Sequence, residues 1–168
     1  MAISEKLPFK ISVLIFVRDE QGRHLLIERQ KEPNKGLCSP IGGKLEMSLG
    51  ESPFECAIRE TQEEIALSLC EDDLHLFAIV SEKSYEGGTH WLMFLFDCKK
   101  RITSIPKTIS EGAFRLVSDE ELFDGSIAIP ETDRLLLWDI WQRNHKGGFS
   151  VLRADCAGKI SAKIEESI

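Results

Sequence analysis

The stretch IGGKLEMSLGESPFECAIRETQEEIAL, residues 41–67, decides how this chain is read. It opens on the pair Gly42-Gly43 and runs into the strongest helix signal in the sequence. Ser52 is a good N-cap, Pro53 suits the first helical position, and Glu55 completes a Ser-x-x-Glu capping box. Phe54, Ile58, Thr61 and Ile65 recur at helical spacing and predict a stripe that packs on a sheet. Between Glu46 and Glu64 stand six glutamates and one basic residue, Arg59, so the acid is concentrated here. Glu60, Glu63 and Glu64 fall on one helical face, roughly 120° round from that stripe at about 100° per residue. Like charges at this spacing repel by about 0.2–0.5 kcal/mol per pair, and no lysine stands at i±3 or i±4 to relieve them. A solvated acidic face is the bland explanation. The chemical one is a hard divalent cation, Mg²⁺ or Mn²⁺, which wants several carboxylate oxygens.

Outward from this stretch, strands and helices alternate. Phe9 to Val17 is apolar at every odd position and predicts a strand, Asp19 to Gly22 a turn, and His24 to Arg29 its partner strand. A loop containing Pro33, Gly36, Pro40, Gly42 and Gly43 follows. Leu74 to Ser81 and Thr89 to Cys98 predict two strands joined across Tyr85-Glu86-Gly87-Gly88, the second apolar on both faces and hence central. Ala113 to Val117 predicts a short strand, Ser118 to Phe123 a short helix, Glu131 to Asn144 a longer helix, and Phe149 to Ala154 a last strand. The order gives an α/β sandwich, a mixed β-sheet between helices. Without internal repeat or linker, residues 1–168 read as a single domain.

Composition narrows the partners. With 21 Lys+Arg against 28 Asp+Glu the formal charge is −7, which disfavours a nucleic-acid polymer and an anionic membrane surface. The longest uninterrupted apolar run, Trp91 to Phe96, is far below the roughly 20 residues of a spanning helix. The start, MAISEKLPFK, carries Glu5 and Lys6 before any apolar stretch and does not read as a signal peptide. Five cysteines without a C-x-x-C pair or a histidine at ligand spacing speak against a disulfide framework and a zinc site. A cytoplasmic location is the expectation.

The 41–67 stretch resembles the catalytic box of the Nudix hydrolases, G-x5-E-x7-R-E-U-x-E-E-x-G-U, where U is apolar. Glu51, Arg59-Glu60, Glu63-Glu64 and Leu67 match it, and the flanking strands and Glu111-Gly112 also look like the family. Two positions depart. Gly43 to Glu51 holds seven intervening residues where the family has five, so Met47 to Leu49 carries a two-residue insertion. Ala66 stands at the family's second glycine, where a left-handed backbone would cost an alanine about 1 kcal/mol. The resemblance implies Mg²⁺ (or Mn²⁺) held by Glu60, Glu63, Glu64 and the Gly43 carbonyl, with Glu51 and Arg59 as a supporting ion pair. It implies hydrolysis of a nucleoside diphosphate linked to a further group, with Glu60 as first choice of general base and Glu111 as second. Lys44 could touch a phosphate, although an exposed lysine is the safer default. A nucleoside triphosphate, including an oxidised one, cut to monophosphate and pyrophosphate is the leading substrate.

Other substrates and classes stay open. Tyr85 lies where relatives cleaving dinucleoside polyphosphates often carry a tyrosine, and Glu82-Lys83-Ser84 lacks the proline of relatives that cleave ADP-ribose. Nucleotide-sugar cleavage is a further alternative. A catalytically silent nucleotide-binding regulator ranks lower because the glutamate triad is complete. An isopentenyl diphosphate isomerase-like enzyme ranks lower because Cys38-Ser39-Pro40 lacks the His-Pro of that cysteine motif. P-loop and G-x-G-x-x-G patterns fail, and His24, His75, His90 and His145 are read as structural. Trp138 and Trp141 could present a homodimer face, with core packing the stronger expectation.

Overall fold

The computed structural model describes residues 9–85 and 88–168. The predicted turn residues Glu86 and Gly87, and Glu5 and Lys6 near the start, lie outside them. Among the described residues nine strands join one mixed sheet: β1 (Phe9–Asp19), β2 (His24–Arg29), β3 (Cys38–Ser39), β4 (Ile41–Lys44), β5 (Leu74–Tyr85), β6 (Thr89–Ile102), β7 (Gly112–Val117), β8 (Ser150–Asp155) and β9 (Ser161–Ser167). Their order is β3-β2-β1-β6-β5-β8-β9, with β4 paired to β1 and β7 to β2. β6 is parallel to β1 and antiparallel to β5, so the strand expected to be central is central.

Alternation along β1 splits the core in two. Val13, Ile15 and Val17 point to one face with Ile41, Cys56, Ala57 and Phe96. Phe16 points to the other with Phe77, Leu95, Trp138 and Trp141. Helix α1 (Pro53–Ile65) covers the first face. The second is covered by a π-helical turn, Asp133–Leu137, running into α3 (Trp138–Asn144). Helix α2 (Asp119–Phe123) is a single capped turn after β7. The α/β sandwich expected from the sequence is the architecture.

The details differ in five places. The glycine loop is not all loop: Ile41–Lys44 pairs with Ser12 to Ile15 of β1, because glycines here let the strand lie close against its neighbour. A Cβ on Gly42 would collide with the Val13 carbonyl. β5 and β6 run past their predicted ends, since cross-strand pairing carries polar residues that periodicity alone does not claim. The stripe on α1 is rotated. Cys56, Ala57 and Thr61 are its buried residues, while Phe54, Ile58 and Ile65 are half-buried at the flank. The helix expected from Glu131 carries the π-helical turn, a feature frequent at functional sites. β9 has every residue exposed and only Ala162 and Ile164 as an apolar face, too short a pattern to mark a strand; its pairing to β8 holds it. Trp138 and Trp141 are 1% and 4% exposed, so they are core and not a dimer face.

Candidate active site

Three local devices aim α1 at β4. Ser52 accepts from the Glu55 amide, and the Glu55 carboxylate accepts from the Ser52 amide, closing the expected capping box. Thr61 donates to the Ala57 carbonyl within the buried side of the helix. Ala66 ends the helix in the left-handed region at φ 54°, as the departure from glycine required. The insertion forms a 3-10 turn, Met47–Leu49, with Met47 and Leu49 in solvent. It is pinched off at its base, where the Glu46 amide donates to Glu51 at 2.7 Å, so the two extra residues bulge outward and leave the helix register alone.

Arg59 is the hub. Its Nε donates to Glu51 Oε1 at 2.6 Å and its Nη2 to Glu51 Oε2 at 3.0 Å and to the Lys44 carbonyl at 3.2 Å. This bidentate pair holds the Glu51 carboxyl at about 2, well below the usual carboxylate range. The expected supporting pair is therefore formed, and it fastens loop to helix. Nη1 reaches further, to Glu60 at 2.9 Å and Glu63 at 3.2 Å. The relief that no lysine could give comes from Arg59, one residue before Glu60 and four before Glu63.

Sharing an α1 face does not make the three glutamates equivalent. Glu63 is mostly in solvent. Glu60 is half-buried against β4, where burial raises its pKa against the pull of Arg59. A Cβ on Gly43 would land inside the Glu60 carboxylate, so any side chain there would push that carboxylate aside. Glu64 is half-buried, and its buried Oε2 has no hydrogen-bond partner among the described residues. Burial, then the charges of Glu60 and Glu111, push its carboxyl up to about 8, while a Gly42 backbone hydrogen bond and Arg29 oppose the shift. Among the described residues, no three His, Cys, Asp or Glu side chains are gathered into a cation cage. The expected triad is thus aligned on one element without converging, because Arg59 draws Glu60 and Glu63 to itself. The donor set still fits a hard divalent cation: an orphaned buried carboxylate oxygen, two more carboxylates repelling it, and a backbone carbonyl strand alongside.

A cavity of about 260 Å³ opens beside this helix. Of the residues singled out from sequence, Gly43, Lys44, Glu64, Tyr85 and Glu111 line it, while Glu51, Arg59, Glu60 and Glu63 stand behind or outside the wall. Lys44 Nζ lies 6.0 Å over the Trp91 ring, and Tyr85 donates its hydroxyl to Asn34. The cavity also holds residues that the sequence did not flag: Asn34, Glu82, Trp91, Thr132 and Asp133. A signal for two of them existed. Glu82 follows Val80 in phase on β5, and Asp133 precedes Leu136, Leu137 and Ile140 on one helical stripe, so each is an acid in an apolar position.

A glutamate-bearing helix packs against a glycine strand, in a mixed sheet with an acid-lined cavity alongside. The NUDIX domain model matches residues 8–136, so the chain belongs to the Nudix family and is a Nudix pyrophosphohydrolase. It is similar in fold to a MutT protein from Bacillus halodurans, at 20% identity and TM-score 0.69, over 93% of this chain and 97% of that one. A MutT protein from Methanosarcina mazei Go1 matches at 25% identity and TM-score 0.66, over 83% and 95%. The NUDIX domain of Shewanella oneidensis NrtR, solved with ADP-ribose, matches at 16% identity and TM-score 0.58, over 80% and 86%. Among the described residues no helix is long and apolar enough to cross a membrane.

Proposed function

We propose that this protein hydrolyses a phosphoanhydride in a nucleoside diphosphate linked to a further group, with Mg²⁺ (or Mn²⁺). A nucleoside triphosphate, including an oxidised one, cut to monophosphate and pyrophosphate is the leading substrate. The observation that carries the reading is the buried, unpartnered Glu64 carboxylate oxygen beside Glu60 and Glu111, at the wall of a ligand-sized cavity. Dinucleoside polyphosphates and nucleotide sugars are the second reading, favoured by Tyr85 in the cavity lining and by the ADP-ribose bound to a protein of the same fold.

Glu60, Glu63 and Glu64, with the Gly43 carbonyl, would hold the cation. When bound, it supplies Lewis-acid polarisation of the phosphate oxygens and a lower pKa for the attacking water. Glu51 and Arg59 fix the loop so that Gly43 and Glu60 stay adjacent. Glu60 is the first candidate to take the proton from the water, and Glu111, which lines the cavity, is the second. Lys44, which lines the cavity, would neutralise phosphate charge there.

The test is a nucleotide panel with Mg²⁺ and identification of products, run on the wild type and on Glu63→Gln and Glu64→Gln. Each variant is expected to lose at least about 10²-fold in kcat with an unchanged circular dichroism spectrum. Near-normal hydrolysis in either variant would sink the assignment of these ligands. No turnover on any nucleotide, with tight binding of one, would favour a regulator.

A further inference from the structure

A second cavity, of about 270 Å³, adjoins the first and has no part in the chemistry above. Glu32, Pro33, Tyr85 and Trp91 line both, while Lys10 and Thr89 belong to the second alone. Strand register sets what stands at the junction. Lys10 lies directly across from Trp91 on the parallel pair β1 and β6, and Lys44 lies across from Ser12 on the antiparallel pair β4 and β1. Ser12 is two residues after Lys10, so Lys10, Lys44 and Trp91 share one face of the sheet. The Lys10 and Lys44 ammonium groups lie 5.3 Å and 6.0 Å from the centre of the Trp91 ring. Lys83 and Lys100 are paired with Asp155 and Asp73, but neither Lys10 nor Lys44 has an acid partner among the described residues. Glu32, exposed in the shared wall, pairs with neither. Two ammonium groups held at one ring repel each other. They stand unpaired in a chain of formal charge −7, beside a cavity lined by Glu64, Glu82 and Glu111. An anion at the junction would relieve that repulsion and give each lysine a charge-assisted partner.

We propose that Lys10 anchors a second anionic group of the substrate in this adjoining cavity, set apart from the diphosphate that is cut. This inference rests on the pyrophosphohydrolase reading and names the substrate class within it. Lys44 serves the phosphates in the first cavity and Lys10 the further anion in the second, with the Trp91 indole as the wall between them. The ligand class is a nucleotide bearing an extra phosphate, at the end of a longer phosphate chain or on the sugar. Either source presents the same charged oxygens to an ammonium point charge. The Thr89 hydroxyl, in the same wall, is a further donor for such a group. The lysine stems lie along the indole, which keeps their heads at the junction and leaves their charge to the ligand.

The experiment compares three ligands in the adenosine and guanosine series: the 5′-triphosphate, the 5′-tetraphosphate, and the 5′-triphosphate carrying a 3′-phosphate. Each is bound calorimetrically to the full chain without metal and assayed by steady-state kinetics with Mg²⁺. In at least one series, a ligand with the extra phosphate is expected to show Kd and KM at least about tenfold below those of the triphosphate. An advantage for the tetraphosphate places the anion on the phosphate chain, and an advantage for the 3′-phosphate places it on the sugar. Lys10→Met keeps a stem along Trp91 and removes the charge, so it should erase most of the advantage, in Kd and KM more than in kcat. Lys10→Arg should retain it. A loss in Lys10→Met shared equally by the triphosphate and the larger ligand would mark a structural role and overturn the inference. Equal affinity of the wild type for all three, no binding at millimolar ligand, or an advantage undiminished in Lys10→Met would overturn it too. Hydrolysis of all three with equal KM would leave the hydrolase standing and remove this reading. A binding advantage that Lys10→Met erases, without hydrolysis of any ligand, would do the reverse.

Discussion

Ala66 and the pair Glu82/Asp133 show residues held at a cost. Ala66 sits at φ 54°, where a Cβ is unfavourable. Ala66→Gly should therefore raise stability by about 0.5–1 kcal/mol, measured by urea unfolding with an unchanged m-value. For Glu82 and Asp133 the folded state raises both pKa values, through burial and, for Asp133, the facing charge of Glu82. A carboxyl whose folded pKa is raised holds its proton better folded than unfolded. Stability thus falls as pH climbs from the ordinary carboxylate range through the folded pKa. Glu82→Gln removes that burden, so its Tm advantage over the wild type should grow between pH 5 and pH 8. A constant difference across that range would show that Glu82 is not titrating there. The glutamates of α1 were visible in the sequence because their spacing is local. Glu82 and Asp133 are 51 positions apart and become neighbours only when β5 and the π-helical turn meet across the cavity.

At the scale of the element, α1 is nearly all legible from sequence, since caps and helical spacing are local properties. Ser52, Pro53 and Glu55 start the helix where predicted. Ser52→Ala removes the cap and should cost about 1 kcal/mol, read as a lower urea midpoint. The exact burial of its faces was not legible, because it depends on where β4 approaches. That approach turns the helix so that Glu60 and Glu64 flank the buried side and Glu63 faces solvent. β9 lies at the opposite extreme: an exposed strand of mixed charge has no signal until β8 offers it an edge.

Across the whole molecule, one polar network ties the helical layer to the sheet. Arg18 of β1 donates to both oxygens of Asp97 on β6, at 3.1 and 3.0 Å, and Trp141 Nε1 of α3 donates to the same carboxylate at 2.8 Å. The Arg18 guanidinium also lies 5.0 Å over the Trp141 ring. Trp141→Phe keeps most of the apolar area and loses the hydrogen bond to a buried carboxylate. It should destabilise by about 1–3 kcal/mol in thermal unfolding. A change below 0.5 kcal/mol, roughly the scatter of surface substitutions, would mean that the network adds nothing to the fold.

What the sequence determined by itself is the alternation of strands and helices, the capped helix, the glutamate set and the family these imply, because each is written in spacings of a few residues. The tertiary structure alone decided that Arg59 serves Glu51, Glu60 and Glu63 together, and that Glu64 is left with an unpaired oxygen. It also decided that two acids distant in the chain share one cavity wall. The physical reason is range. Capping and periodicity act within a turn or two of chain, while burial, and the charge interactions it strengthens, depend on which elements pack against one another.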